Sequence, residues 1–350
     1  MWLRPCARFW PISQARRMDS KPPQSALVVG AGSIGRRHLG NLKQLGVTKL
    51  FACDPHADRL AYVWEHFQAE SFPTIEEGLK ARPDIVLICS PPVNHASQAL
   101  QAMRAGADVF VEKPVAHSTD LVEELVAEEK NSGRVVQVGY NLRFHPPLQK
   151  VKELVENEAV GKIQWGRVES GSYLPDWRPW QDYRKSYTAS REMGGGIILD
   201  GSHELDYVTW MFGAPTELAC MAGKVSGLEI GVEDCATMLL RFPNGSQLDV
   251  HVDFMERFYS RGCVLAGERG KLQWDFTSNA VVVHLSGEEP QSIRFDCEVN
   301  HMYLAEMRHF MDCVEHRTRP KVTLLDGMLT LRIALAARVS AEESRWMKFD

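Results

Sequence analysis

A glycine-rich segment with the spacing of a dinucleotide-binding turn lies close to the start of the chain. It reads Gly30-Ala31-Gly32-Ser33-Ile34-Gly35, follows the apolar run Ala26–Val29 and opens a helical pattern. In this motif the first glycine makes a tight turn, the second lets the backbone approach a pyrophosphate, and the third lets helix and strand pack closely. The free N–H groups of the helix then face the phosphates. These spacings predict a dinucleotide site formed by Gly30, Gly32, Ser33, Ile34 and Gly35.

Asp54 ends the second apolar run, 19 residues beyond Gly35. A carboxylate at this point of the motif bonds the ribose 2′-hydroxyl of the cofactor and repels the 2′-phosphate of NADP. The predicted cofactor is therefore NAD. Arg36 and Arg37 are both able to pair with a 2′-phosphate, so NADP stays open at this stage.

Two further segments follow buried strands, and ligands of open α/β sheets bind beyond the carboxyl ends of the strands. Glu112-Lys113-Pro114 places Lys113 where a substrate would lie, although a surface lysine at a strand end is an equally simple interpretation. Glu112 and Lys113 are also predicted to contact the cofactor. For the run from Ser90 and Pro91 to Asn94 and His95, two interpretations stand side by side. It either lines the nicotinamide site or caps the following helix.

A helical pattern over Ile197–Phe212 begins after three consecutive glycines, residues 194–196. Asp200, His203 and Tyr207 fall within about 60° of one another on a helix, away from the apolar face. A carboxylate, an imidazole and a phenol grouped in this way suit proton transfer. The alternative is a hydrogen-bonded polar stripe at a domain interface.

The elements that carry these residues change character near residue 140. Before that point, short apolar runs alternate with helical patterns, which predicts a doubly wound parallel sheet. After it, a bridging helix is followed by strands without intervening helices, with a Pro-Asn-Gly-Ser hairpin turn at residues 243–246. The predicted fold class is α/β, with an N-terminal Rossmann sheet and a C-terminal α+β domain with a mostly antiparallel open sheet. The corresponding domains are residues 25–142 and 143–350.

Composition excludes several classes of protein. The chain has 350 residues, is 44% apolar and carries a net charge of −5, whereas a duplex-binding protein shows a basic field. No apolar run approaches the roughly 20 residues of a membrane span. The eight cysteines form no C-x-x-C pair, which favours a reducing compartment, here the cytoplasm, and argues against a structural metal.

Residues 1–24 differ from the rest, with five basic residues against one acidic residue. This pattern predicts a disordered extension or a start assigned too far upstream. A targeting signal is the weaker alternative, because no long apolar stretch is present.

Several of these motifs, in this order, resemble the glucose–fructose oxidoreductase / inositol dehydrogenase / MocA (Gfo/Idh/MocA) family over about residues 25–348. The resemblance rests on residues 30–35, 89–95, 112–114, 139–144 and 194–203. It implies hydride transfer between nicotinamide and a hydroxyl or keto carbon of a sugar or sugar derivative. Lys113 then positions the hydroxyl and His203 is the general base. The family often has an aspartate four residues before that histidine, whereas Asp200 lies three before it.

The resemblance also extends to partners and substrate contacts. It implies a small sugar-like substrate, contacts from Tyr140, Asn141 and Arg143, and a homodimer or homotetramer formed through the C-terminal sheet. The run from residue 194 to Tyr207 looks like the branch found with surface-polysaccharide and sialic-acid-like sugar synthesis. A non-catalytic regulator that senses a dinucleotide is the alternative from another class, and retention of Lys113 and His203 argues against it.

The segment Tyr173–Tyr187 is too interrupted by proline to form a regular strand or helix, and its length is typical of a functional loop. It carries Trp177 for ring packing and a basic cluster that includes Arg178 and Arg184. Because arginine matches phosphate and carboxylate geometry, the loop is predicted to close over an anionic sugar, such as a sugar nucleotide, a sugar phosphate or an acidic sugar. The alternative role for this loop is a solvated or dimer-contacting segment. The alternative substrate is a neutral polyol or inositol.

Overall fold

The computed structural model describes residues 22–349, so the predicted extension lies almost wholly outside the described residues. The first sheet has six parallel strands in the order β3-β2-β1-β4-β5-β6. These are β1 (Ser25–Val29), β2 (Lys49–Cys53), β3 (Glu70–Phe72), β4 (Ile85–Ile88), β5 (Asp108–Glu112) and β6 (Val136–Gly139). Their central strands are buried along their whole length, as expected when helices cover both faces of a parallel sheet.

Five helices connect these strands. They are α1 (Ser33–Gln44), α2 (Ala57–Phe67), α3 (Ile75–Leu79), α4 (Pro92–Arg104) and α5 (Val122–Ser132). Thr74 caps α3 by accepting the Glu77 N–H, and Pro92 occupies the first turn of α4, where its missing N–H costs nothing. The prediction of a doubly wound sheet is confirmed. This prediction omitted β3 and α3, because both elements are too short for a hydrophobic periodicity to be recognised.

The second sheet has nine strands in the order β14-β13-β12-β11-β7-β10-β9-β8-β15, antiparallel except where β7 pairs with β10. The strands are β7 (Ile163–Gly171), β8 (Glu217–Gly223), β9 (Cys235–Arg241), β10 (Gln247–Asp253), β11 (Ser260–Gly267), β12 (Gly270–Asp275), β13 (Ala280–Leu285), β14 (Gln291–Arg294) and β15 (Met347–Lys348). The prediction of a mostly antiparallel sheet is also confirmed. One face of this sheet packs on helices of the same half of the chain.

The helices of this half are α6 (Pro146–Glu156), α7 (Leu174–Trp177), α8 (Ile197–Asp200), α9 (Ser202–Phe212), α10 (Val299–His316) and α11 (Leu324–Glu343). Although the sequence assigns α10 to the second domain, its Met307 and Phe310 belong to a buried cluster with Leu39 and Leu42 of α1. Helix α10 therefore returns to cover the first sheet. The two halves of the chain thus contribute side chains to one common hydrophobic core.

The single helix expected over Ile197–Phe212 is wrong, because Gly201 divides it into α8 and α9. A Cβ at Gly201 would lie 2.8 Å from the Ile197 carbonyl oxygen and 3.0 Å from the Cβ of Val252 in β10. The close approach of β10 therefore requires a glycine where the helix is interrupted. Residues on either side of the break do not follow one helical face.

Arg143, expected to contact substrate, is instead buried in the second half of the chain, where it connects the turn after β6 to α9 and α11. It lies in a short 3₁₀ turn after β6, and its guanidinium donates to both carboxylate oxygens of Asp206 in α9, at 2.9 and 2.7 Å. Asp326 in α11 adds a second contact at 3.4 Å. Since the Arg143 side chain is 3% exposed, its charge stabilises this buried junction and is not available to a ligand.

Within residues 22–349, no helix is long and apolar enough to cross a membrane. The same part of the chain has no group of three or more His, Cys, Asp or Glu side chains arranged to hold a metal ion.

Candidate functional site

The glycine-rich turn joins β1 to α1 and leaves an open cradle at the start of that helix. Gly30 has a φ of +98°, and a Cβ there would lie 2.7 Å from the Cys89 backbone. A Cβ on Gly35 has no room against the Gly30 carbonyl, whereas a Cβ on Gly32 would have no atom within 4 Å. No side chain caps α1. The free N–H groups of its first turn therefore point into a space that fits a pyrophosphate.

Asp54, at the carboxyl end of β2, is bonded to this turn. One carboxylate oxygen accepts the Ala31 N–H at 2.9 Å and the other accepts the His56 N–H at 2.9 Å, with Arg59 at 3.2 Å. Asp54 therefore holds the turn in shape, a role that sequence reasoning missed. Its charge also lies where the motif places the adenine ribose, and its contact with the 2′-hydroxyl stays a prediction.

His95 links the turns that follow β4 and β5. The ring is buried, and its two nitrogens lie 2.7 Å from the carbonyl oxygens of Ser90 and Pro114. This places His95 inside the protein, while Asn94 is exposed on the first turn of α4. The Ser90 hydroxyl donates to Gln98 at 2.6 Å. The interpretation of this run as a cap is wrong for His95, because α4 begins at Pro92 with no side-chain cap and His95 bridges two turns instead. Cofactor contact by Ser90, Pro91 and Asn94 stays a prediction.

Glu112, expected to bind the cofactor, points into the protein instead. Its Oε1 lies 2.7 Å from Nε2 of His38, a fully buried residue of α1, and its Oε2 accepts the Lys113 N–H at 3.2 Å. The pair connects the cofactor helix to the turn that carries Lys113. His38 gave no signal in the sequence beyond its position one turn after the glycine motif.

Lys113 crosses to α8 in the other half of the chain. Its Nζ donates to the Asp200 carbonyl oxygen at 2.7 Å and lies 3.9 Å from Oδ1 of the same residue. The Tyr187 hydroxyl also donates to Asp200 Oδ1, at 2.9 Å. Burial raises the pKa of Asp200, and the charge of Lys113 opposes that rise. The structure thus brings Lys113 and Asp200 together and adds Tyr187, which the sequence analysis did not single out.

His203 begins the first turn of α9, with its ring edge-on to Tyr140 at a centroid distance of 5.6 Å. Burial lowers the pKa of His203 well below its ordinary value, and the charges of Lys113 and Arg261 lower it further. The imidazole is therefore neutral at physiological pH and able to accept a proton.

A cleft of about 290 Å³ opens beside Asp200. It is lined by Ser170, Ser172, Trp177, Ile197, Asp200, Gly201, Asp253, Tyr259 and Arg261. Nε of the Arg261 guanidinium lies 2.9 Å from a carboxylate oxygen of buried Glu204 and donates to the Ser170 hydroxyl at 3.2 Å. The sequence analysis missed Arg261, because β11 carries no motif and reaches the site only through pairing with β7.

The loop Tyr173–Tyr187 contributes unequally to this cleft. Trp177 lines it, with its indole N–H bonded to Ser172 at 2.7 Å. The charge of Arg178 helps to lower the pKa of Asp200. Arg184 is exposed and pairs with Asp182 at 2.8 Å and with Glu229 at 2.7 Å. The basic cluster that the sequence indicated is thus partly neutralised by neighbouring acids.

Three other expected substrate residues are buried and do not line the cleft. Tyr207 is 1% exposed and packs edge-on against Trp274, so it is not grouped with Asp200 and His203. The Tyr140 hydroxyl donates to Ser202 at 3.4 Å, which places Tyr140 behind the site as a support for His203. Asn141 is buried in the turn after β6. The break at Gly201 explains the error for Tyr207, since a straight helix was assumed.

Comparison with known proteins gives consistent matches over both halves. Residues 25–140 match a family model described as an oxidoreductase family with an NAD-binding Rossmann fold, and residues 148–273 match the GFO/IDH/MocA C-terminal domain. The myo-inositol 2-dehydrogenase of Thermotoga maritima is 30% identical over 338 residues, 92% of this chain and 98% of that protein.

Two solved structures show the same fold. Levoglucosan dehydrogenase in complex with NADH and levoglucosan superposes with a TM-score of 0.84 at 17% identity, covering 92% of this chain and 98% of that one. UDP-N-acetylglucosamine 3-dehydrogenase from Acidithiobacillus ferrooxidans superposes with a TM-score of 0.77 at 21% identity, covering 91% and 97%.

The different surroundings of two glycines predict different outcomes of substitution. Gly32→Ala places a methyl group in the open cradle, so NADH affinity should fall while the melting temperature stays near that of the wild type. Gly35→Ala forces a clash with the Gly30 carbonyl and should destabilise the fold by about 1–3 kcal/mol. Urea unfolding and NADH fluorescence titration of both variants measure this. A Gly32→Ala protein that binds NADH normally would contradict the assignment of the cradle.

Proposed function

Since the chain belongs to the GFO/IDH/MocA oxidoreductase family and is an NAD-dependent dehydrogenase acting on CH–OH groups, we propose that its reaction takes place where Lys113, Asp200 and His203 meet. The observation that carries this proposal is the bond from Lys113 Nζ to Asp200 across the two halves, next to a neutral His203. Asp200 lines the cleft, and Lys113 is bonded to the same residue.

The cradle at Gly32 and the N-terminus of α1 hold the pyrophosphate of NAD in this proposal, with Asp54 beside the ribose. NAD, when bound, supplies the nicotinamide carbon that accepts the hydride. Arg36 lies over the Tyr62 ring at 3.8 Å and Arg37 over the Tyr303 ring at 4.4 Å. Both guanidinium groups are therefore engaged by aromatic rings, which supports NAD over NADP.

Side chains of this protein accept the substrate's hydroxyl proton and stabilise the charge that its loss creates. Oxidation of an alcohol requires loss of the hydroxyl proton, and His203 is uncharged and able to take it. The Lys113 ammonium stabilises the negative charge that develops on the same oxygen. Asp200 keeps this ammonium in place through its main-chain oxygen at 2.7 Å and its carboxylate at 3.9 Å.

For the substrate, we propose a neutral, polyhydroxylated ring as the first candidate. The cleft mixes donors and acceptors that suit hydroxyl groups: the Ser170 and Ser172 hydroxyls, the Asp253 carboxylate and the Arg261 guanidinium. Since Glu204 already balances Arg261, the base of the cleft has no excess positive charge. The relative from Thermotoga maritima, a myo-inositol 2-dehydrogenase, agrees with this class.

An anionic sugar is the second candidate, favoured by one observation. Arg178 follows Trp177, which lines the cleft, and its charge acts on Asp200, so it is the basic residue of this loop that would meet a phosphate or carboxylate on the substrate. Arg184, which the sequence analysis grouped with it, is already paired with Asp182 and Glu229. The solved UDP-N-acetylglucosamine 3-dehydrogenase shows that a related fold takes a sugar nucleotide.

We also propose that the outer face of the nine-stranded sheet joins two copies of the chain. Trp165, Leu239 and Trp346 are 44%, 49% and 49% exposed and line one shallow depression of this sheet. Met221, on the adjoining β8, is 79% exposed. Large apolar side chains grouped in this way on one surface favour burial against a protein partner.

The chemistry predicts large losses at two positions. Lys113→Met and His203→Ala should each lower kcat by about 10²–10⁴-fold, because one removes charge stabilisation and the other removes the base. NADH affinity should stay near normal, and Lys162→Met, an exposed lysine far from the motifs, serves as the control. Because the lowered pKa keeps His203 unprotonated, kcat should hold down to pH 6. Full turnover of His203→Ala would remove it from the mechanism.

The substrate proposal predicts that neutral rings are preferred. In assays of myo-inositol and glucose against their monophosphates, kcat/KM should be higher for the neutral partner of each pair. Arg184→Ala should change neither value, because its guanidinium is engaged with acids. A preference for the phosphorylated compounds that Arg178→Ala abolishes would reverse the order of the two candidates.

The assembly proposal predicts a particle of at least twice the chain mass of 39.5 kDa, measured by light scattering. Leu239→Glu should reduce the mass to that of one chain by burying a charge at the interface. Trp64→Glu, at an exposed position on α2, should leave it unchanged. A wild-type monomer would show that this face is not an interface.

A further inference from the structure

Tyr187 holds the carboxylate of Asp200 from a loop that no motif identified. Its hydroxyl donates to Asp200 Oδ1 at 2.9 Å, and it is the last residue of the loop that carries Trp177. Burial and the neighbouring carboxylate raise the pKa of Tyr187, so the phenol keeps its proton and remains a donor.

The backbone around Tyr187 is fixed by the glycine triplet before α8. A Cβ on Gly195 would overlap the carbonyl oxygens of Tyr187 and Thr188, and the Gly196 N–H donates to the Thr188 oxygen at 3.0 Å. Arg338 in α11 donates to the Gly195 oxygen at 2.6 Å. The phenol is therefore held against Asp200 by contacts on two sides, and the absence of side chains at residues 194–196 permits this packing.

The hydrogen bond leaves the two oxygens of Asp200 unequal. Oδ1 has the Tyr187 hydroxyl at 2.9 Å and Lys113 Nζ at 3.9 Å. Oδ2 is buried, and the Thr188 side chain adds a second favourable interaction with the carboxylate.

We propose that Tyr187 is a positioning residue for the dehydrogenase reaction: it orients Asp200 so that the carboxylate and main-chain oxygen of this residue keep Lys113 in place. The inference rests on the proposed function of Lys113 and His203 and adds a residue to it. Tyr187 does not touch the reacting atoms and acts through Asp200.

The charges around Asp200 decide whether it stays ionised. Burial opposes the carboxylate, whereas the charge of Lys113, the hydrogen bonds from Tyr187 and Thr188, and the charge of Arg178 favour it. His203 is neutral, and Asp253 and Arg261 line the same cleft with opposite charges. Removing the Tyr187 hydroxyl takes away one of the stabilising interactions, so protonation of Asp200 becomes easier.

The test compares two tyrosines of the same loop. Tyr187→Phe removes the hydroxyl that bonds to Asp200, whereas Tyr183→Phe removes one that only accepts the Glu229 N–H at 3.3 Å. Both residues are half-buried, and each change removes one oxygen. Tyr187→Phe should lower kcat about 10–100-fold, the usual range for a hydrogen bond to a charged group. NADH affinity should remain unchanged, and Tyr183→Phe should match the wild type.

A pH profile separates positioning from a purely structural effect. In Tyr187→Phe the acid limb of kcat/KM should move to higher pH, because Asp200 takes up a proton more readily without its donor. The effects of Tyr187→Phe and Asp200→Asn should not add in the double variant, since one residue acts through the other. Melting temperatures of all variants report any loss of folding.

Three results would overturn the inference: wild-type kcat and pH profile in Tyr187→Phe, equal losses in Tyr183→Phe, or fully additive effects with Asp200→Asn. If Lys113→Met is inactive, the proposed function stands, and any of these three results counts against the role of Tyr187 alone. If Lys113→Met and His203→Ala are both fully active, the proposed function itself fails.

Discussion

The hydrogen bond from Lys113 to the main-chain oxygen of Asp200 is the contact on which the site depends. Lys113 follows β5 of the parallel sheet, and Asp200 ends α8 in the other half of the chain. Neither half contains a complete site, because the cofactor cradle belongs to one and the cleft to the other. The core that α10 and α1 form together holds the two halves against each other.

Three buried pairs of ionisable side chains around this contact join elements that are distant in sequence. His38 pairs with Glu112, Arg143 with Asp206, and Arg261 with Glu204. An isolated buried charge is strongly unfavourable, so a buried arginine or carboxylate persists only when a partner is held beside it. The first pair connects α1 to the Lys113 turn, the second connects the turn after β6 to α9, and the third forms one wall of the cleft.

The same arrangement controls protonation at the site. Two cations and burial keep His203 neutral, which suits a proton acceptor, while burial pulls Asp200 toward its protonated form and its neighbours resist this. The loop that ends at Tyr187 therefore connects the cleft wall at Trp177 to the ionisation of Asp200. The charge of Lys113 lowers the pKa of both the Asp200 carboxyl and the His203 imidazole.

Sequence alone was sufficient for the features that depend on local spacing. The turn at residues 30–35, the alternation of strands and helices and the antiparallel second sheet all follow from short-range patterns. These features are local because turn geometry and burial periodicity act over a few residues. The roles of Lys113 and His203 stay predictions from motif resemblance. The strand β3 and helix α3 were missed because they are too short to show a period.

The tertiary structure decided which side chains are free to act. Arg143, Glu112 and Arg184 are types of residue that bind ligands, yet each is paired with a partner far along the chain or across a loop. Tyr207 does not lie with Asp200 and His203, because β10 packs against Gly201 and the helix is interrupted there. Arg261 and Tyr187 joined the site only through strand pairing and loop packing. Periodicity reports which face a residue occupies, whereas the partner that neutralises a charge is set by contacts between distant segments, and only the folded chain contains those.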